Sequence, residues 1–310
     1  GQARFSYKDG ETRSEGDKTK FHSAELRTRL YLSGAINDDW SYGAMLQNTQ
    51  QLNTNAQEST TDFRRAFVTG DLGGATVTAG RQAFTIGEGY VADLTGDAVK
   101  VDFGNKLKTS LFAGRFDSVG YGNQNDGDFI YNDKATVYGV VLNYDFNNKL
   151  YSEAAFYAQE GNDNLEEQKI YTLGLGYKFD KNVRLYGEYQ KADKSIFEVG
   201  AGYNAPAEYG DDGWAATVAY KGANPMDVGS WGAYATYYDQ SGAVILDSIC
   251  ELEDYFAYPE EGLKGYEFGI GYTVAKNVIA NLAYYDIDNK DYSSDDDGAK
   301  MIWTTVTFGF

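Results

Sequence analysis

Apolar and polar positions alternate with a period of two along most of this chain. In QKIYTLGLGYKF, Tyr171, Leu173, Leu175, Tyr177 and Phe179 fall on one face, with Thr172, Gly174, Gly176 and Lys178 on the other. TVYGVVLNYDF sets Tyr138, Val140, Leu142, Tyr144 and Phe146 against Gly139, Val141, Asn143 and Asp145. KGYEFGIGYTV sets Tyr266, Phe268, Ile270 and Tyr272 against Glu267, Gly269, Gly271 and Thr273. The last residues place Ile302, Thr304, Val306, Phe308 and Phe310 opposite Met301, Trp303, Thr305, Thr307 and Gly309. Alternation this long, with almost no 3.6-residue signal, predicts strands.

The breaks between the strands alternate as well. Short polar turns fall at Asn37-Asp39, Gly73-Gly74, Gly104-Lys106, Asn147-Lys149, Asp180-Asn182, Ala223-Gly229 and Ala275-Asn277. Longer connections lie near 9–20, 52–60, 85–95, 117–133, 159–167, 192–212, 239–263 and 288–298. Fifteen connections predict sixteen strands, at about 1–8, 21–35, 40–51, 61–72, 75–84, 96–104, 107–116, 134–146, 150–158, 168–179, 183–191, 213–222, 230–238, 264–274, 278–287 and 299–310. No run of 18 or more apolar residues is present, so no transmembrane helix is expected. A membrane barrel needs none, because only every second strand residue meets lipid. The expected fold is all-β: a 16-stranded antiparallel transmembrane β-barrel spanning 1–310 as one domain. Its short turns are expected on the periplasmic rim and its long loops on the extracellular rim. Trp40, Phe103, Tyr144, Phe146, Tyr177, Phe179, Tyr272, Phe308 and Phe310 cluster near the short turns or the C-terminus, as an interfacial aromatic belt would.

Charge and rare residues narrow the function. The chain carries 46 Asp+Glu against 27 Lys+Arg, with one His and one Cys. Its acidity opposes nucleic-acid binding, and its 15% aromatic content opposes disorder. A lone Cys250 excludes a disulfide framework and reads as a small buried residue. His22, expected to line the first loop, has no nucleophile or metal pattern around it, so neither catalysis nor a cofactor is expected. Asp295, Asp296 and Asp297 offer weak divalent binding at most, plain solvation being the better reading. The loops near 117–133, 159–167, 192–212, 239–263 and 288–298 hold 25 acidic and 2 basic residues. The acidity therefore belongs to one rim, and a mouth of that sign predicts modest cation preference.

Arginines concentrate in the first half: eight of nine precede residue 116. Between residues 25 and 33, Leu26, Leu30 and Leu32 share a parity with Thr28, opposite Glu25, Arg27, Arg29, Tyr31 and Ser33. A lipid-facing Arg at the bilayer midplane costs about 2–4 kcal/mol, so the arginine face should be the lumen. Arg4, Arg27, Arg29, Arg64, Arg81 and Lys100 are the candidate basic wall, and Glu88, Tyr90 and Asp93 (with Asp97 nearby) the candidate constriction opposite it. The inward or outward facing of Arg65, Arg81 and Arg115 stays open, because Val77 and Ala79 share parity with Arg81. A bulge at Gly80, or an interior that tolerates small apolar residues, would resolve this.

RRAFVTGDLGGATVTAGRQAF (64–84) resembles a hairpin of the bacterial general porins: an Arg-bearing strand, a Gly-rich turn and a Gly-Arg-Gln strand leading into the third loop. The resemblance covers the sixteen-strand layout, this hairpin and terminal Phe310. It implies an outer-membrane trimer passing small hydrophilic solutes, in contact with lipid and lipopolysaccharide, with the third loop folded inward against a row of arginines. ELRTRLYLSGAINDDWSYGA and the Asn/Asp-rich turns are also similar to the barrel of OmpM-type porins of diderm Firmicutes. Those carry an N-terminal domain that binds peptidoglycan. No such domain is present in this sequence, so a tethering role is the alternative rather than the first reading.

Overall fold

The computed structural model describes residues 1–14, 16–53, 59–116, 135–160, 167–194, 210–246, 250, 252, 262–291 and 297–310. Sixteen strands occupy them: β1 Gln2–Ser14, β2 Asp17–Ala35, β3 Trp40–Gln51, β4 Ser59–Leu72, β5 Ala75–Ile86, β6 Ala92–Phe103, β7 Leu107–Phe116, β8 Ala135–Asp145, β9 Leu150–Gln159, β10 Gln168–Lys178, β11 Val183–Ala192, β12 Asp212–Lys221, β13 Trp231–Gln240, β14 Leu263–Ala275, β15 Val278–Asp288 and β16 Gly298–Gly309. Each pairs with its sequence neighbours, and β1 closes on β16 from Gln2↔Gly309 to Arg13↔Gly298. The result is the expected closed antiparallel barrel, which leaves no edge strand exposed.

The period-two pattern becomes two surfaces. On β11, inward Tyr186 is 1% exposed, whereas the preceding Leu185, pointing out, is 40% exposed. Leu173, Leu175, Phe268, Ile270 and Ile302 are likewise exposed on the outer wall. Lateral closure therefore buries the polar backbone while leaving an apolar exterior, the requirement for a barrel in lipid.

Three of the short turns share one device. The Asn37 side-chain oxygen accepts the Asp39 and Trp40 amides at 3.0 and 2.9 Å, Asn147 those of Lys149 and Leu150 at 2.8 and 3.0 Å, and Asp180 those of Asn182 and Val183 at 2.6 and 2.9 Å. A short side chain mimics the backbone of a turn, which is why Asn or Asp opens these three. These two amides hold the Asp180 carboxyl below its ordinary range.

The first connection corrects the expectation of a long loop over 9–20. β1 and β2 stay paired out to Ser14↔Asp17. The hairpin tip is polar on both faces, with Lys18 3.6 Å from Glu11, so apolar alternation could not reveal that the ladder continues. His22 consequently sits in the middle of β2, not in a loop.

Candidate functional site

Directly opposed residues of an antiparallel pair share a face, so the register assigns each charge. Arg4 opposes Arg27, and Gln2 opposes Arg29. Arg29 Nε donates to Gln47 Oε1 at 2.7 Å, and Arg4 lies 3.7 Å from Glu25 and 5.3 Å above the Trp303 ring. Trp303 Nε1 donates to buried Ser6 at 2.8 Å. Arg4, Arg27 and Arg29 thus line the interior. Tyr31 and Arg65 both oppose Met45 and join that face.

Arg64 does not extend the row in step. The pairing of β3 and β4 slips from Met45↔Arg65 to Leu46↔Phe63, which makes Arg64 the extra residue of a bulge. Lys100 opposes buried Thr78 on the inner face and pairs with Asp102 at 3.0 Å.

Arg81 is a correction. The register runs unbroken through Gly80 on both sides, so Arg81 keeps the outward parity of Val77 and Ala79. There it makes a bidentate pair with Asp97, Nε to Oδ1 at 2.7 Å and Nη2 to Oδ2 at 2.8 Å. Arg115 opposes Asp97 on the same outer surface. Asp93 is also turned outward, accepting the Thr85 hydroxyl at 2.9 Å. Neither Asp93 nor Asp97 faces the arginine row. The two hydrogen bonds to Asp97 offset the cost of an outward guanidinium that had argued for the lumen.

The connection 87–91 between β5 and β6 folds into the barrel. Gly87 starts a single 3-10 turn with φ 64°. Its amide donates to Glu153 Oε1 of β9 at 2.9 Å, and its bare Cα lies against the Glu188 carboxylate. Glu88 receives Arg184 Nη1 of β11 on both oxygens, at 2.9 and 2.7 Å. Tyr90 is 1% exposed. It stacks on Tyr186 with ring centres 6.0 Å apart, bonds Thr217 through its hydroxyl at 2.5 Å, and receives Gln240 Nε2 on its carbonyl at 3.0 Å. Burial raises its phenol above the ordinary value. The third long loop therefore docks on β9–β13, the wall across the lumen from Arg4, Arg27 and Arg29.

A second segment, 241–246 after β13, lies against it. Leu246 donates its amide to the Val91 carbonyl at 2.8 Å. Ala243, Val244 and Ile245 are buried, as are Cys250 and Leu252. Asp291, after β15, accepts Ser241 Oγ at 3.0 Å and the Gly242 amide at 3.2 Å. Burial raises its carboxyl to about 6.

Sequence reading missed three inward acids. Glu188 accepts Tyr186 Oη and Gln190 Nε2, both at 2.9 Å. Glu267 accepts Tyr234 and Tyr238 hydroxyls at 2.5 and 2.6 Å. Glu153 takes the Gly87 amide. Their signal was present as polar residues alternating with outward apolar ones. Asp295 and Asp296 lie outside the described residues; among those described, no acidic or His/Cys cluster has metal-site geometry.

Several solved structures share this architecture at low identity. A variant of the porin of Rh. blastica is 12% identical, with a TM-score of 0.57 over 100% of this chain and 99% of its own. A triple mutant of Rhodopseudomonas blastica porin is 12% identical, with a TM-score of 0.56 over 100% and 99%. An engineered protein described for asymmetric conductivity is 12% identical, with a TM-score of 0.55 over 100% and 99%. No protein-family model and no curated protein matches the sequence. The fold is the closed sixteen-stranded barrel of the porins.

Proposed function

We propose that this chain is an outer-membrane porin, a passive diffusion channel for small hydrophilic solutes and ions. The observation that carries the reading is a closed barrel, apolar outside and lined within by charged residues, whose third long loop is folded into the lumen. A scaffold that only needed to span lipid would not require a charged interior. Selection follows from passage width and wall charge, with no covalent step. The solved structures of this fold, described as porins and in one case by conductivity, support the same reading.

The finer picture is a polarised pore. Loop acids form a negative vestibule, and Arg4, Arg27, Arg29 and Arg65 form a basic wall across the lumen from Glu88 and the docked loop. The assembly is a homotrimer in the outer membrane, in contact with lipid and lipopolysaccharide. A second reading, a barrel that chiefly anchors the membrane to peptidoglycan through a separate domain, draws support from how densely 87–91 and 241–246 fill one side of the lumen.

Purified protein reconstituted in a planar bilayer tests the first reading. Stepwise, ohmic single-channel currents are expected. Correctly folded barrel that inserts and passes no current would leave the anchoring role.

A further inference from the structure

The lumen is unevenly filled. Inward Tyr157, Tyr186, Tyr238, Leu263, Tyr285 and Met301, on β9 to β16, are almost completely buried. On the opposite wall, inward Tyr31 is 52% exposed, and Ser33 and Asp62 are exposed as well. The free passage therefore runs off-centre, along β1–β4.

The charges divide in the same way. The acids of the filled side are withdrawn: Glu188 and Glu267 are each capped by two side-chain donors, Glu153 holds a backbone amide, and Glu88 is matched by Arg184. The open side presents Arg4, Arg27, Arg29 and Arg65, with Glu25 and Asp62 as the carboxylates among the neighbouring inward positions. Arg4 and Arg27 are directly opposed, a like-charge pairing that destabilises a sheet. The Nε atoms of Arg4 and Arg65 are buried and meet no acceptor among the described residues. Guanidinium forks held this way suit the planar oxygens of carboxylate and phosphate.

We infer that the passage along β1–β4 prefers small anions and briefly binds carboxylate- or phosphate-bearing solutes at the Arg4–Arg27–Arg29–Arg65 wall. This rests on the pore reading above and reverses the cation preference expected from the acidic loops. Loop charges are screened from a passing ion beyond about 8–10 Å, whereas the arginines are met at contact, beside low-dielectric walls.

The test is the reversal potential of the reconstituted channel in a tenfold KCl gradient, with inorganic phosphate then added as a blocker. Chloride is expected to permeate several-fold better than potassium, and phosphate to shorten open events. The double variant Arg27→Ala, Arg29→Ala should lose most of that preference and the phosphate effect. Arg27→Lys, Arg29→Lys should keep the preference but weaken the block. Arg81→Ala, on the outer wall, should change neither. Far-UV circular dichroism and heat-dependent gel mobility verify the folding of each variant. Cation preference in the wild type, or an unchanged ratio in the folded double alanine variant, overturns the inference while leaving the pore intact. Absence of any current overturns the pore reading and this inference with it.

Discussion

Arg184 of β11 and Glu88 of the third long loop, 96 residues apart in sequence, form an ion pair in which Arg184 Nη1 reaches both carboxylate oxygens and ties the inward segment to the wall beyond it. The side chains are 44% and 32% exposed, so solvent screening keeps the pair's stabilising contribution at about 0.2–1 kcal/mol. Its larger effect is positional. Arg184→Ala is expected to leave the unfolding midpoint in denaturant almost unchanged while adding flicker to the open-channel current. Current as quiet as that of the wild type would show that Tyr90 and Gly87 hold the segment unaided.

Gly87 is the tighter constraint. Its φ of 64° favours glycine, and a Cβ there would run into the Glu188 carboxylate. Gly87→Ala should therefore release the segment from β9 and β11, raising single-channel conductance and destabilising the barrel by about 1–3 kcal/mol. Unaltered conductance in the folded variant would mean that 87–91 does not narrow the passage.

Tyr90 separates packing from hydrogen bonding. Tyr90→Phe keeps the ring against Tyr186 and Tyr238 but removes the hydroxyl from Thr217. A loss of about 0.5–1.5 kcal/mol is expected, against about 3–5 kcal/mol for Tyr90→Ala. Denaturant titrations in detergent read both. Equal losses would assign the effect to the hydroxyl and remove the ring contacts from the account.

Arg81 and Asp97 test the outward assignment. Asp97→Ala removes the carboxylate that Arg81 chelates on the outer face, whereas changing both residues to Leu removes the whole pair. The single change is expected to destabilise the barrel by about 1–3 kcal/mol, because the outward guanidinium loses the carboxylate it chelates, and the double change to restore stability. A double variant as unstable as the single one would place the pair in a network rather than in isolation.

These contacts differ in how far sequence could reveal them. β3 and β7 begin and end where alternation said they would, because each starts with an outward apolar run (Trp40, Tyr42, Ala44 and Leu46; Leu107, Leu111 and Ala113) and their turns carry Asn, Asp or Gly. Arg27 and Arg29 were readable as inward from the leucines beside them. Arg81 carried the same information, since Val77 and Ala79 pointed it outward, and the cost of a lipid-facing arginine argued otherwise. The docking of Tyr90 was illegible: a lone loop tyrosine has no period, and its partners Tyr186, Thr217 and Gln240 come from three different strands. The filled half of the lumen escaped for the same reason. Ala243, Val244 and Ile245 read as an apolar patch, but what they pack against is fixed only when the barrel closes.

The Asp291 carboxyl links that filled half to pH. In the docked state burial raises it from 3.8 to about 6, although Ser241 Oγ, the Gly242 amide and nearby Lys290 all favour its ionised form. An acid with a raised pKa binds its proton more tightly when docked. Docking is therefore strongest below about pH 4 and weakens as pH rises through about 6, by about 3 kcal/mol between the limits. Amide hydrogen exchange across 241–246, corrected for the intrinsic rate at each pH, is expected to show greater protection at pH 4.5 than at pH 7.5. In Asp291→Asn the group cannot ionise, and protection should be high and equal at both. Wild-type protection that does not change between the two pH values would rule out Asp291 as the titrating contact.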